Sequence, residues 1–438
     1  MFDTLKPIFP ETARVLPNNH LAIGGLDVSD LAAQYGTPLY IFDEQTLRGQ
    51  CQRFVKEFSS RYPRVQVLYA SKAFITRPIA HLIDEEGLGL DVVSGGELAI
   101  ARAAEFPAER VYFHGNNKTP DELADALEWH IGRVVVDNFF ELETLESLAG
   151  KTKRAKQVLL RISPGVDPHT HSHTTTGILD SKFGFALANG QAEEAVKRTK
   201  ASKHLDLVGI HIHLGSPIFE TEPYREGIKV TLDFCAKMRD KYGLDLKEFS
   251  PGGGFPVQYV VDTPAPPLAD HAEAITSSVK EHCKRLGIAL PKLIIEPGRA
   301  IVCRAGVALY RVGATKDIPG VRKYVSVDGG MGDNIRPAIY GSRYEAVVAN
   351  GVESKATEKV TIAGKYCESG DVLIKDATLP KVKAGDLIAL PASGAYCIPM
   401  SSNYNAMPKP AIVMVKGGKV RLIRRRETFE DLMRLDVV

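Results

Sequence analysis

Eight short apolar runs constrain this chain more than any other feature. They are Val65–Ser71, Leu88–Val93, Val111–His114, Val134–Asp137, Val158–Ile162, Leu207–Leu214, Leu246–Ser250 and Leu293–Glu296. The first five recur at intervals of about 23 residues, close to the shortest strand–helix repeat. The segments between them carry apolar residues at helical spacing. Glu97–Ala104 is one, and Asp121–Leu127, opened by Thr119 and Pro120, is another. Eight βα units in series predict a closed (β/α)8 barrel of the α/β class, with an open doubly wound sheet as the alternative. The residues at the carboxyl ends of the runs favour the barrel. Ser71-Lys72, His114-Gly115-Asn116-Asn117-Lys118, Leu214-Gly215-Ser216, Gly252-Gly253-Gly254 and Glu296-Pro297-Gly298-Arg299 gather polar and glycine residues there, where barrels place their chemistry.

Beyond about residue 300 the texture changes. Tyr324–Val327, Glu358–Ala363, Asp386–Leu390, Ala411–Val415 and Lys419–Ile423 read as short strands between turns, and Lys416-Gly417-Gly418-Lys419 is a hairpin signal. The expected division is a barrel over 39–299 and a second, mostly β domain (sandwich or barrel-like) built from 1–38 and 300–438. A formal net charge of +2 on 438 residues gives no reason to expect a nucleic-acid or membrane partner. Arg424-Arg425-Arg426 beside Glu427 reads as a solvated turn or strand end. The amino terminus has no basic-then-apolar signal pattern, and Cys51, Cys235, Cys283, Cys303, Cys367 and Cys397 show no Cys-x-x-Cys spacing. A cytoplasmic protein with free thiols is expected.

Three strand ends ask for one chemistry. Lys72 closes an apolar run, so its amine has apolar company and can lose its proton to attack an aldehyde. Gly252-Gly253-Gly254 clears side chains from a turn so that backbone N–H groups can converge on an anion. Glu296 ends another run as an acid that can hold a ring nitrogen protonated, or else pair with Arg299. Together these suit pyridoxal 5'-phosphate. No Walker loop is present, and no Gly-x-Gly-x-x-Gly opens a helix after the first strand. His211 and His213 alternate along one strand and so face the same side, where an imidazole can stack on a cofactor ring and Ser216 can reach a phosphate oxygen. A metal pair is the rival reading, but the later strand-end ligands it needs are missing, and no metal is expected. His169, His171 and His173 read as a polar loop.

With these residues in place, the chain resembles the pyridoxal-phosphate decarboxylases of the alanine-racemase-like barrel fold. The resemblance runs over nearly the whole length. It is carried by Tyr69-Ala70-Ser71-Lys72-Ala73, Asp91–Leu98, Phe113–Lys118, Pro164–Asp167 with Thr176-Gly177 and Lys182-Phe183-Gly184, Glu296–Arg299, Asp333–Tyr340, Cys367–Asp371, and Gly394-Ala395-Tyr396 with Met400–Asn405. It implies that Lys72 carries the cofactor, His213 stacks on its ring, Asp91 orients that histidine, and Glu296 binds the ring nitrogen. Ser216, Gly254, Pro297, Gly298, Arg299 and Tyr396 would complete the cofactor site. It further implies a homodimer with shared active sites, in which Cys367 and Glu368 arrive from the partner copy and Cys367 supplies a proton. Arg299, Arg336 and Tyr340 would grip the distal carboxylate of an amino-acid substrate, with Glu368 on its distal ammonium and Tyr396 beside them. The implied reaction is decarboxylation of meso-2,6-diaminopimelate to L-lysine. Ornithine, arginine or a carrier-bound glutamate are alternative substrates, but an arginine has no use on a distal amine.

Overall fold

A computed structural model describes residues 2–152, 155–166 and 181–437. Asp167, Thr176, Gly177 and the histidines at 169, 171 and 173 lie outside the described residues. The chain divides into two units: Cys51–Pro256 with Pro266–Gly298, and Met1–Gln50 with Val257–Ala265 and Arg299–Val438.

The first unit is the barrel. Its strands are β1 (Val65–Ala70), β2 (Gly89–Val92), β3 (Val111–Phe113), β4 (Arg133–Val136), β5 (Lys156–Ser163), β6 (Leu205–His211), β7 (Glu248–Gly252) and β8 (Lys292–Ile295). Each pairs in parallel with the next, and β8 closes on β1 through Leu293↔Val65, Ile294↔Gln66 and Ile295↔Val67. All eight expected runs are therefore strands, shifted by a few residues at their ends. They were legible because parallel strands buried on both faces are apolar along their whole length. Leu68, Tyr112, Val135, Leu159, Val208 and Ile294 form one buried cluster in its core. At the amino-terminal ends, the Glu248 carboxylate accepts from Tyr112 Oη at 3.0 Å and Arg133 Nη2 at 2.8 Å, and meets Lys292 Nζ at 3.0 Å. That polar plug leaves the opposite mouth for chemistry. Between the strands, Thr119 and Glu122 form a reciprocal cap on Pro120–Glu128, and Ser94 caps Gly95–Ala103 through the Glu97 N–H.

The second unit is mostly β. Its main sheet runs Val372–Leu379, Glu358–Ala363, Arg322–Val327, Gly306–Ile318, Leu39–Asp43, Ala411–Lys416, Lys419–Arg424, and Leu387–Leu390 adds to Gly306–Ile318. The expected hairpin is present, with Gly417 at φ +54° and Gly418 at φ +76° making its turn. Gly306–Ile318 is the longest strand at 13 residues, and it changes partners near Val312, from Leu39–Asp43 and Leu387–Leu390 to Arg322–Val327. Leu39–Asp43, placed by the sequence at the edge of the barrel segment, lies between two strands of this sheet and is buried at every position. Val257–Ala265 also belongs to this unit. Among the described residues, no helix is long and apolar enough to cross a membrane, and Cys51, Cys235, Cys283, Cys303, Cys367 and Cys397 are free thiols.

Candidate active site

The barrel mouth concentrates titratable groups. Lys72 sits in the short turn Ser71–Ala73 that comes after β1, half-exposed, with Nζ 3.8 Å from Oδ2 of the buried Asp91 on β2. Asp91 Oδ1 lies 3.8 Å from Nε2 of His114, the residue after β3. His114 Nε2 is also 3.7 Å from Glu296 Oε1. Both oxygens of Glu296 are engaged. His211 Nε2 is 3.0 Å from Oε2, and Ser250 Oγ donates to Oε1 at 2.7 Å. Glu296, expected at a strand end as the ring-nitrogen acid, is thus held by β6 and β7 as well as by its own segment. Arg161 on β5 lies 3.7 Å from Asp137 and over the Phe183 ring at 4.2 Å.

Burial sets the protonation states. It pushes the Glu296 carboxyl up, but His211, His114 and the hydrogen bonds from His211 and Ser250 outweigh it, so the group is held below the usual carboxylate range and stays an anion. Burial pushes His114 down to about 4, against the pull of Asp91 and Glu296. His114 is therefore neutral at neutral pH and meets Glu296 as a dipole, leaving His211 and Ser250 as the main stabilisers of the carboxylate. Burial, with the charge of Lys72 nearby, also drives His213 well below its ordinary value. A neutral, flat imidazole suits stacking on a cofactor ring.

The glycine turn is built for backbone approach. A Cβ at Gly253 would collide with the Glu296 carbonyl oxygen, and one at Gly252 would lie 2.6 Å from that of Ile212. Gly254 takes φ +100°, outside the range of ordinary side chains. The Gly253 N–H donates weakly to His213 Nδ1 at 3.4 Å. His213 is thus oriented by the glycine turn; among the described residues it has no hydrogen bond to Asp91, which faces Lys72 and His114. Gly298 packs where a Cβ would be 3.1 Å from the Ala70 carbonyl oxygen, and the Pro297 carbonyl accepts from the Ala70 N–H at 3.1 Å. Ser216 is exposed at the turn after β6.

Among the described residues, Ser71 Oγ, Asp91 Oδ1, His114 Nε2, Asp137 Oδ1 and His211 Nδ1 are buried here without a hydrogen-bond partner. So many unsatisfied atoms in one mouth mark a place meant to receive a polar group. Their chemistry fits pyridoxal phosphate: an amine for the aldehyde, an anion for the ring nitrogen, and bare backbone for the phosphate. His114, His211 and Glu296 also bring three ligand-type atoms within 4.8 Å of one another, but His211 and Ser250 already hold both carboxylate oxygens.

The β unit holds a separate cluster. Arg299 Nη1 donates to Tyr259 Oη at 3.0 Å, and Arg336 Nη1 donates to Tyr344 Oη at 2.6 Å. The Arg336 guanidinium lies 4.5 Å from the Tyr259 ring centre, and that of Arg299 lies 5.1 Å from the Tyr396 ring centre. Among the described residues, Arg299 Nε is buried without a hydrogen-bond partner. Among the described residues neither arginine has a carboxylate partner, so two cations sit around one phenol with no anion between them. Tyr340 is 65% exposed, and Cys367 and Glu368 are exposed on a loop where the Cys367 N–H donates to Asn405 Oδ1. His114, Ser250 and Tyr344 had no role assigned from sequence, although His114 closes one of the polar strand ends. Tyr259, in a stretch without periodicity, gave no signal at all.

Residues 45–303 match the model of the pyridoxal-dependent decarboxylase family, pyridoxal binding domain. A curated diaminopimelate decarboxylase of Bacillus subtilis (strain 168) is 49% identical over 426 residues, 97% of each chain. One from Bacillus methanolicus is 44% identical, covering 96% of this chain and 97% of its own. The crystal structure of diaminopimelate decarboxylase from M. jannaschii in complex with L-lysine is similar with a TM-score of 0.92 and 35% identity, covering 98% of both chains.

Proposed function

We propose that this chain, which belongs to the pyridoxal-dependent decarboxylases, converts meso-2,6-diaminopimelate to L-lysine and carbon dioxide, the last step of lysine biosynthesis. The observation that carries the choice of substrate is the arginine pair. Two guanidiniums that face one phenol and have no carboxylate beside them among the described residues repel each other, and an incoming carboxylate relieves that repulsion. A distal carboxylate is what diaminopimelate has and what ornithine and lysine lack. The lysine complex of the similar M. jannaschii enzyme supports the same product class.

Bound pyridoxal phosphate supplies an electron sink for the bond to the departing carboxylate. The protein does the rest. Lys72 holds the cofactor through its amine, beside Asp91. Glu296, kept anionic by His211 and Ser250, holds a proton on the ring nitrogen. Neutral His213 offers its face to the ring without adding charge, and Gly254 with its neighbours takes the phosphate. Arg299 and Arg336 receive the distal carboxylate, Glu368 the distal ammonium, and Tyr340 and Tyr396 flank them. The stoichiometry closes with one proton: the carboxylate leaves as carbon dioxide, and the thiol of Cys367 supplies the hydrogen that takes its place. Cys367 and Glu368 are exposed on their own subunit, which supports their serving a second copy in a homodimer.

Replacing Arg336 tests the substrate. Arg336→Ala leaves the distal carboxylate without its fork, and a loss in kcat/KM approaching 10⁴-fold, carried in large part by KM, is expected for diaminopimelate. Turnover with little change in KM removes the assignment.

A further inference from the structure

One peptide of the glycine turn is held by a buried tyrosine hydroxyl. All three glycine carbonyls are engaged inside the barrel unit. The Gly252 oxygen accepts from the Glu296 N–H at 3.2 Å, and the Gly254 oxygen from the Ile218 N–H at 2.8 Å. The Gly253 oxygen accepts from Tyr224 Oη at 2.6 Å. On the amide side, the Gly252 N–H donates to Ser250 Oγ at 3.1 Å and the Gly253 N–H makes the long contact to His213. The Gly254 N–H has no acceptor among the described residues.

The Gly253 carbonyl and the Gly254 N–H belong to one peptide plane and point in opposite directions. Holding that oxygen therefore aims that N–H. Glycine on both sides leaves this peptide free to flip, because neither flanking torsion is restrained by a Cβ. Among the described residues, the hydroxyl on this oxygen is that of Tyr224, from the first turn of helix Glu222–Tyr242, and its side chain is fully buried. The phenol is itself fixed. Its ring stacks at 6.1 Å on Phe255 and meets His271 edge-on at 5.8 Å, and His271 Nε2 lies 3.1 Å from the Ile218 carbonyl oxygen.

We propose that Tyr224 is a positioning residue for the cofactor phosphate: its hydroxyl locks the Gly253–Gly254 peptide so that the Gly254 N–H is turned toward the anion. The inference rests on the reading of the barrel mouth as a pyridoxal phosphate site and adds a residue that does not touch the cofactor. It also places the selectivity for the phosphorylated form of the vitamin partly in the second layer of the barrel.

The test compares two buried tyrosines. Tyr62 Oη donates to the Pro291 carbonyl oxygen at 2.8 Å, a similar bond just before β8, away from the turn. Apoprotein of wild type, Tyr224→Phe and Tyr62→Phe is titrated with pyridoxal phosphate and, separately, with pyridoxal, which lacks the phosphate. Loss of one well-placed hydrogen bond is worth about tenfold, so Tyr224→Phe is expected to weaken pyridoxal phosphate by about that factor and to leave pyridoxal unchanged. Tyr62→Phe is expected to leave the ratio of the two affinities as in wild type. The proposal is overturned if Tyr224→Phe weakens both ligands equally, or neither, or if it matches Tyr62→Phe. Failure of wild-type apoprotein to prefer pyridoxal phosphate overturns the reading of the mouth itself, which is a different result.

Discussion

His114 shows what burial does to a single side chain in this barrel. Folded, it binds a proton only near pH 4, against an ordinary value of 6.5, because the barrel interior desolvates the cation. Between these values the unfolded chain holds more protons than the folded one, so stability falls as pH drops from 6.5 toward 4. From pH 7 to pH 5 this one group removes on the order of 2 kcal/mol. His114→Gln takes the ionisation away, and urea unfolding at the two pH values is expected to show a smaller acid loss for the variant than for wild type. Equal losses contradict the buried, neutral assignment. At this scale the sequence was readable where a residue ended or closely followed an apolar run: Lys72, Gly254 and Glu296 all did, and all stand at the mouth. It was not readable where the role depends on what crosses the barrel. Glu296 is held by His211 and Ser250 from two other strands, and His213 Nδ1 meets the Gly253 N–H of the glycine turn. Arg161 was hidden inside an apolar run.

Among the elements, the barrel strands were plain and the β unit was half legible. Parallel strands covered on both faces are apolar throughout, and their spacing repeats. In the β unit, Gly306–Ile318 showed no single strand pattern because its first half is buried and apolar while its second half, with Thr315, Lys316 and Asp317, is solvent-exposed and polar. Val372–Leu379 gave none for the same reason, with Lys375 and Asp376 on its surface. Strands of two or three residues, such as Arg14–Val15 and Leu21–Ile23, carry too few side chains to show a period. Leu39–Asp43 fell within the 39–299 segment because nothing in it names its partners in the β unit. The segment that leads to Arg336 is fixed in a similarly non-local way. Asp371 accepts from the Met331 N–H at 2.7 Å and from the Tyr366 N–H at 2.9 Å, tying the chain before Arg336 to the loop of Cys367 and Glu368. Gly330 and Gly364 have no Cβ because that carboxylate fills the space each would need.

For the whole molecule, the proposed homodimer assigns Lys72 and Cys367 of one chain to different active sites. Lys72→Ala and Cys367→Ala proteins, each inactive or nearly so alone, are expected to regain activity when their subunits are mixed and exchanged, because one hybrid site receives an intact lysine and an intact cysteine. No recovery under conditions where subunit exchange is demonstrated contradicts the shared site. The most direct measurement concerns the covalent link on which the rest depends. The holoenzyme is reduced with borohydride, digested, and its peptides are weighed. The expected result is the mass of a reduced pyridoxal phosphate on the peptide containing Lys72 and on no other. An unmodified Lys72 peptide, or a cofactor fixed to a different lysine, contradicts the proposed chemistry at its root.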